Sequence, residues 1–306
     1  MTEKKIHRVK SIREFHKLKG LPAPQHPLIS LFDYGTMVCS EEVKHKNFVF
    51  DFYHISIKRC VGARFKYGQT HYDFDNGVMF FIAPNQVFGI EQIAEMANLR
   101  SGWTLMIHPD FFWNTSLAKN IKRFDFFEYA VNEALFLSDK EEETLNDIVK
   151  NIEHEYHANL DKFSQRIIIS QIETLLNYSE RFYQRQFITR SKSNHDILEK
   201  IENILNDYFA DDELVNKGLP SVQYVANLLS ISPVYLSSLL KSLTGQSTQQ
   251  LIHGKLIEKA KERLSTTNLT VSEIAYELGF EHSQSFSKLF RSKSGFTPSE
   301  FRQSFN

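Results

Sequence analysis

Val225-Ala226-Asn227-Leu228-Leu229-Ser230-Ile231 and, 49 residues on, Ile274-Ala275-Tyr276-Glu277-Leu278-Gly279-Phe280 are two copies of one pattern. In the first copy Val222, Val225, Ala226 and Leu229 recur at three- and four-residue steps; in the second, Val271, Ile274, Ala275 and Leu278 do the same. Such spacing predicts a short helix with one buried side. Ser221 and Ser272 stand where cap or first-turn residues belong. A tight turn follows in each copy, Ser230-Ile231-Ser232 and Gly279-Phe280-Glu281, and then a second helix. Its apolar residues are Leu236, Leu239 and Leu240 in the first copy, matched by Phe286, Leu289 and Phe290. Gly245 and Gly295 end the units as helix stops. Beyond them Ser247 and Leu251 correspond to Thr297 and Phe301. The offset is now 50, so the second turn is one residue longer.

The residue types have a steric logic. Ala226 and Ala275 allow two helices to cross closely, where a bulky side chain would force them apart. Ile231 and Phe280 plug the angle between them. The outer face of each second helix stays polar and free to enter a DNA major groove, about 12 Å wide. A plain helical bundle shares the apolar periodicity but needs neither two matched turns nor two matched glycine stops.

Charge is distributed to suit that reading. The whole chain has a formal net charge of −1, yet from Lys217 onward ten Lys and Arg face six Glu, a net of +4. The acids Asp207, Asp211, Asp212 and Glu213 lie just before this segment. Location matters more than the sum for nucleic-acid binding. At 306 residues, 42% hydrophobic and 24% charged, the chain suggests about two globular domains. No apolar run reaches the roughly 18 to 20 residues that span a bilayer, and residues 1–5 lack the apolar stretch of a signal peptide. With only Cys39 and Cys60 there is no disulfide framework, and the expectation is a cytoplasmic protein.

Upstream, residues 26–112 read as short strands. Residues 48–57 are rich in β-branched and aromatic types. Val78–Ile82 is an apolar run stopped by Ala83-Pro84-Asn85, and residues 103–107 form another, stopped by His108-Pro109-Asp110. Tyr67-Gly68 and Asp75-Asn76-Gly77 read as turns. Strands so spaced predict a sandwich or small barrel. Residues 138–186 turn helical. Ser138 with Glu141 is a capping box, and Leu145, Ile148, Ile152 and Tyr156 form one stripe. Phe163, Ile167, Ile168, Ile172, Leu175, Leu176 and Phe182 form a second, with Asn159-Leu160-Asp161 between. Residues 189–194 are polar and predict a linker. The fold class expected is α+β, an N-terminal β-barrel with a helical pair and a C-terminal all-α domain.

No catalytic motif accompanies these elements: there is no nucleophile elbow and no Gly-rich phosphate loop. His45, His54 and His71 are scattered, no His-x-His occurs, and His154 with His157 is not a zinc motif, so neither a metal nor another cofactor is expected.

The run Ser272-Glu273-Ile274-Ala275-Tyr276-Glu277-Leu278-Gly279-Phe280, continued by Ser285-Phe286-Ser287-Lys288-Leu289-Phe290-Arg291 and Gly295-Phe296-Thr297-Pro298-Ser299-Glu300-Phe301-Arg302, resembles the signature of the AraC/XylS regulators. The resemblance covers residues 200–306. It implies two helix-turn-helix subdomains joined by a long helix at 248–264, with recognition helices at 233–243 and 283–293 entering successive major grooves. Its contact positions fall on Val234, Ser237, Ser238 and Lys241, and on Ser283, Gln284, Ser287, Lys288 and Arg291. Gln284 can pair with adenine and Lys288 can reach guanine, while Lys241 and Arg291 are better placed for phosphate. Two positions depart from the family: Ser238 and Leu256 stand where arginine or another long side chain is frequent.

The resemblance also implies a cupin-like N-terminal domain, to which residues 77–86 are similar, and a dimerising helical pair. The domains expected are 1–137, 138–190 and 195–306. Phe50, Phe52, Phe65, Tyr67, Tyr72 and Phe80 either line an effector pocket or form a packed core. Ile168, Ile172, Leu175 and Leu176 either form a dimer seam or pack inward. The function expected is a sequence-specific regulator of transcription, an effector-responsive activator and not an enzyme. Its partners would be double-stranded DNA, a small-molecule effector, RNA polymerase and a second copy, with no membrane. The alternatives are an effector-independent DNA-binding dimer and a barrel enzyme with a DNA-binding tail.

Overall fold

A computed structural model describes residues 6–37, 47–60, 65–67, 70–72, 77–89, 100–130, 133–158, 163–189, 191–210 and 218–304. Contacts divide the chain into two units, Met1–Gln186 and Phe187–Asn306. The expected turns at Gly68 and at Asp75-Asn76, the loop Asn159-Leu160-Asp161, and His45 and Cys39 lie outside the described residues.

The first unit runs through β1 (Ile6–Val9), α1 (Ile12–Leu18), β2 (Ile29–Asp33), β3 (Asn47–Phe50), β4 (Tyr53–Cys60), β5 (Phe65–Tyr67) and β6 (Thr70–Tyr72). It continues with β7 (Val78–Ile82), β8 (Val87–Gly89), β9 (Arg100–Ile107), α2 (Ser116–Asn120), β10 (Leu135–Phe136), α3 (Asp139–His157) and α4 (Ser164–Thr189). An antiparallel sheet has the order β10-β7-β4-β9-β2, a second sheet has the order β1-β3-β8, and β5 pairs with β6.

The expected barrel is not shown by the described strands. Among the described residues the five-stranded sheet is open, with β10 and β2 at its edges. The β10 edge is closed by side chains instead of another strand. Gln186 accepts from the Phe136 N–H at 2.8 Å, and Arg185 donates to the Phe136 carbonyl at 2.7 Å. Pairing of this kind blunts an edge that would otherwise template another strand.

Alternation along β4 sorts the two faces. Ile55 and Ile57 share one side with Leu105, Ile107, Met79 and Phe81 through the strand register. The helical pair covers that side: Ser179 of α4 donates to Met79 Sδ at 3.7 Å, and Trp103 donates to Asn146 of α3 at 2.9 Å. The other side meets α1, β1 and β3 in an apolar cluster that includes Val9, Phe15, Phe48, Phe50, Ile82 and Met106.

The helical stripes fall where their spacing puts them. Leu145, Ile148, Ile152 and Tyr156 are buried on α3, whose Ser138 backbone N–H donates to Glu141 at 2.9 Å. Arg185 clamps the start of α3 to the end of α4 by two bonds to the Glu141 carboxylate, 2.9 and 2.7 Å. Ile168, Ile172, Leu175 and Leu176 are buried within this unit, none more than 1% exposed. Of the two expectations for these four side chains, a dimer seam or inward packing, their burial within this unit accords with inward packing. The polar stretch 189–194, expected as a linker, takes in the last residue of α4 and the start of a helix at Ser191. A helix's start needs no apolar residue when the core-facing stripe begins further along, here at Ile197.

His54 sits deep in this unit, stacked on Phe50 at 5.9 Å and edge-on to Phe15 at 6.2 Å. Burial foremost, then the charges of Lys58 and Lys19, hold its basicity well below the ordinary value of 6.5. As pH falls through that ordinary value the unfolded chain takes a proton that the folded one refuses. Stability contributed by neutral His54 is thus complete above about pH 7 and declines toward pH 5. Thermal unfolding at pH 7.5 and 5.5 should show that decline, and His54→Phe should flatten it. An unchanged slope in the variant would assign the pH dependence to other groups.

The second unit contains α5 (Ser191–Ala210), α6 (Val222–Leu229), α7 (Pro233–Thr244), α8 (Thr248–Thr266), α9 (Val271–Glu277), α10 (Ser283–Ser294) and α11 (Pro298–Gln303). One core joins them: Ile201, Leu205 and Phe209 of α5 meet α6, α7, α9 and α10 around Leu256 and Ala260 of the long α8.

Candidate nucleic-acid interface

Two copies of one backbone device build the site. Ser221 caps α6 by accepting from the Tyr224 N–H at 3.1 Å, and Thr270 caps α9 by accepting from the Glu273 N–H at 3.2 Å. Each helix ends in a turn that folds back onto its alanine. The Ile231 N–H donates to the Ala226 carbonyl at 3.1 Å, and the Phe280 N–H donates to the Ala275 carbonyl at 3.0 Å. Both alanines are fully buried, as the helix crossing requires.

The turns differ at their left-handed residue. Ser230 takes φ 57° in the first, and Gly279 takes φ 82° in the second. A Cβ on Gly279 would come within 2.8 Å of the Gly218 backbone carbon, so this turn needs glycine both for its φ and for a close backbone approach. Pro233 follows the Ser232 cap of α7, while His282 caps α10 without a side-chain bond. Gly245 and Gly295 end α7 and α10 at φ 73° and 81°, each N–H donating four residues back at 3.0 Å. The repeat extends into the next helices. Ser247 with Gln250 and Thr297 with Glu300 form capping boxes, with Pro298 at the start of α11.

The second helix of each copy is two-sided. In α7, Leu236, Leu239 and Leu240 are buried, and in α10 Phe286 and Phe290 are. Val234, Ser237, Ser238 and Lys241 recur at steps of three and four, which places them on the opposite side of α7. The same steps place Gln284, Ser287, Lys288 and Arg291 opposite the core on α10, with Ser283 beside them. Lys241, Gln284, Lys288 and Arg291 are exposed; Val234, Ser237, Ser238, Ser283 and Ser287 are half-buried. The face of α7 is therefore short and neutral apart from one lysine, and that of α10 is long and cationic. The Ser237 hydroxyl lies 3.2 Å from that of Thr248, so it is already engaged inside the chain.

A family model described as a helix-turn-helix domain matches residues 225–304. The transcriptional regulator YfiF of Bacillus subtilis is 33% identical over 144 residues, 47% of this chain and 42% of that protein. The raffinose operon regulatory protein RafR of Pediococcus pentosaceus is 38% identical over 84 residues, 28% and 30% of the two chains. The transcriptional activator RhaS of an Enterobacter strain is 32% identical over 121 residues, 39% and 41%. The chain thus spans less than half the length of each of these relatives. The C-terminal domain of the response regulator yesN from Fusobacterium nucleatum is 31% identical, covering 35% of this chain and 98% of that one with a TM-score of 0.31. The C-terminal unit carries an AraC-type helix-turn-helix domain.

Within the AraC-type domain the charges divide by helix. On α8, Lys255 pairs with Glu258 at 3.3 Å, Lys259 with Glu262 at 3.0 Å, and Arg263 approaches Glu277 at 3.8 Å. Lys261 lies over the Phe301 ring at 5.6 Å. Lys241 and Lys288 form no ion pair among the described residues, so their charge faces outward. Glu273 and Glu300 keep their carboxyls below the usual range through bonds from the backbones, then the hydroxyls, of Thr270 and Thr297. Leu256, which the sequence resemblance marked as a departure from the family, is fully buried in the core, which leaves no room for a charged head there.

Sequence reading passed over Thr270, Gln250 and Gly218. The first two were readable as Ser/Thr-x-x-Glu/Gln capping signatures. The contact of Gly218 with Gly279 has no local signal. As to the expected effector pocket, Phe50 and Phe52 stack at 5.0 Å in the core of the first unit and Phe80 is 9% exposed. The side chains of Phe65, Tyr67 and Tyr72 lie outside the described residues. Among the described residues no cluster of His, Cys, Asp and Glu could hold a metal ion, and no helix is long and apolar enough to cross a membrane.

Proposed function

We propose that this protein is a sequence-specific transcription regulator that grips double-stranded DNA with α7 and α10. The observation that carries the reading is the pair of matched helix-turn-helix units, each burying one side of its second helix and presenting a polar side. Base contacts are assigned to Gln284, Lys288, Ser283 and Ser287, shorter ones to Val234, Ser237 and Ser238, and phosphate contacts to Lys241 and Arg291. The regulator reading extends to an effector-responsive activator in the cytoplasm that recruits RNA polymerase. The facing sheets of the first unit support a cupin-like effector domain.

Selection of binding sites from random duplex DNA, followed by titration at several salt concentrations, tests the reading. A preferred sequence should emerge, and its affinity should fall steeply with salt as counterions released by Lys241, Lys288 and Arg291 are counted. Lys241→Ala should shallow that slope by about one phosphate contact without changing the preferred bases. Equal affinity for selected and scrambled duplexes would overturn the proposal.

A further inference from the structure

Leu31, Phe32 and Asp33 of β2, Arg59 of β4, Trp103 of β9 and one side of α3 line a cavity of about 400 Å³ in the first unit. That is room for a small organic molecule. The register sets Trp103 between Asp33 and Ile57. Its indole N–H donates to Asn146 of α3 at 2.9 Å, which fixes the ring at the cavity wall. Glu142 of α3 is the buried acid of this lining, 5% exposed. A Cβ on Gly77 would clash with its Oε2, so glycine there leaves the room that the carboxylate occupies. Arg59 reaches only that oxygen, from Nε at 3.2 Å and from a terminal nitrogen at 2.8 Å. Glu142 Oε1 accepts no hydrogen bond among the described residues. A carboxylate held away from bulk water with one oxygen unmet calls for a donor.

The rest of the lining gives the sign of the charge that suits it. Asp33, Asp139, Glu143 and Glu153 add four exposed carboxylates. Against these five acids stand two cations, both engaged: Arg59 with Glu142, and Lys150 with Asp147 at 2.8 Å. Carboxylates only accept hydrogen bonds, so such a lining rejects an anion and suits a ligand that brings N–H donors and positive charge. Among the described residues no group of acids could hold a metal ion, which leaves an organic cation. An indole is the best aromatic face for a positive group, and Leu31 and Val149 supply apolar wall for a carbon body.

We propose that this cavity binds a small organic cation, an amine or a guanidine. This rests on the effector-responsive reading and names the chemical class of the effector. The N–H donors of the cation meet Glu142 Oε1, its charge lies against Trp103, and the exposed carboxylates draw it in.

The test uses the full chain carrying Trp113→Phe, which leaves Trp103 as its one indole. Trp113 is 73% exposed, so this change spares the fold. Benzylamine, butylamine and butylguanidine are titrated at constant ionic strength against benzyl alcohol, butanol and benzoate. At least one cation should give a saturable change in Trp103 emission and a saturable rise in Tm, reproduced by none of the neutral or anionic probes. Glu142→Gln should abolish both responses. Because that change also unpairs Arg59, a double variant confined to exposed side chains, Glu143→Gln with Glu153→Gln, forms a second arm. It should keep the Tm of the free protein and raise the half-saturating concentration several-fold. No response to any cation, an equal response to a neutral or anionic probe, or an unchanged titration in the double variant would each overturn the proposal. Affinity for the selected duplex is measured alongside. Retained sequence preference with no response to a cation overturns the effector class alone, whereas equal affinity for selected and scrambled duplexes overturns the regulator reading.

Discussion

Lys288→Ala should lose sequence-specific binding far more than Ser238→Ala. Lys288 is exposed on the face of α10 opposite Phe286 and Phe290 and has no ion pair among the described residues. Its ammonium is thus free to reach a guanine edge, and losing such a contact costs about 1–3 kcal/mol, roughly 5- to 150-fold in affinity for the preferred site. Gln284→Ala, one turn earlier on the same face, should cost a similar amount and relax the preference at a neighbouring base pair. Ser238 is half-buried with a short side chain, and its neighbour Ser237 is engaged with Thr248. Ser238→Ala should therefore change affinity by less than about 1 kcal/mol. Footprinting titrations with the selected duplex rank the three variants. A larger loss in Ser238→Ala than in Lys288→Ala would reverse the assigned roles of the two helices.

Gly279→Ala should be the most damaging small change in the second unit. Its φ of 82° disfavours any side chain by about 1–2 kcal/mol. The added methyl would also sit 2.8 Å from the backbone carbon of Gly218, where nothing flexible can give way. Together these should exceed about 3 kcal/mol, within the range of a severe single substitution. Gly245→Ala and Gly295→Ala are the controls: both have φ near 73° and 81°, and an added Cβ meets nothing within 4 Å. They should cost only the conformational part, about 1–2 kcal/mol. Denaturant unfolding of the second unit separates the cases. Equal losses at all three glycines would show that the Gly218 contact yields without cost.

The helix-turn-helix units were legible because their determinants are local. Ala226 and Ala275, the two turns and the two glycine stops each act within a dozen residues, so the sequence displays them directly. The asymmetry of α7 and α10 was legible for the same reason, being a matter of side-chain length on a known face. What stayed hidden depends on partners distant in sequence. That β1 pairs parallel to β3, and that β10 ends a sheet against Arg185 and Gln186, are long-range choices with no mark in strand spacing. The stripe Ile168, Ile172, Leu175 and Leu176 announced a buried face without saying what buries it, and the answer is the chain itself.

The central claim is that two unequal helix-turn-helix units read DNA together. Hydroxyl-radical footprinting of the full chain on its selected duplex, combined with the base preferences from that selection, tests it most directly. Two protected segments about 10–10.5 base pairs apart on one face of the duplex are expected, with stronger base preference in the segment lost on Lys288→Ala. A single protected segment, or stronger preference in the segment that depends on Lys241, would contradict it.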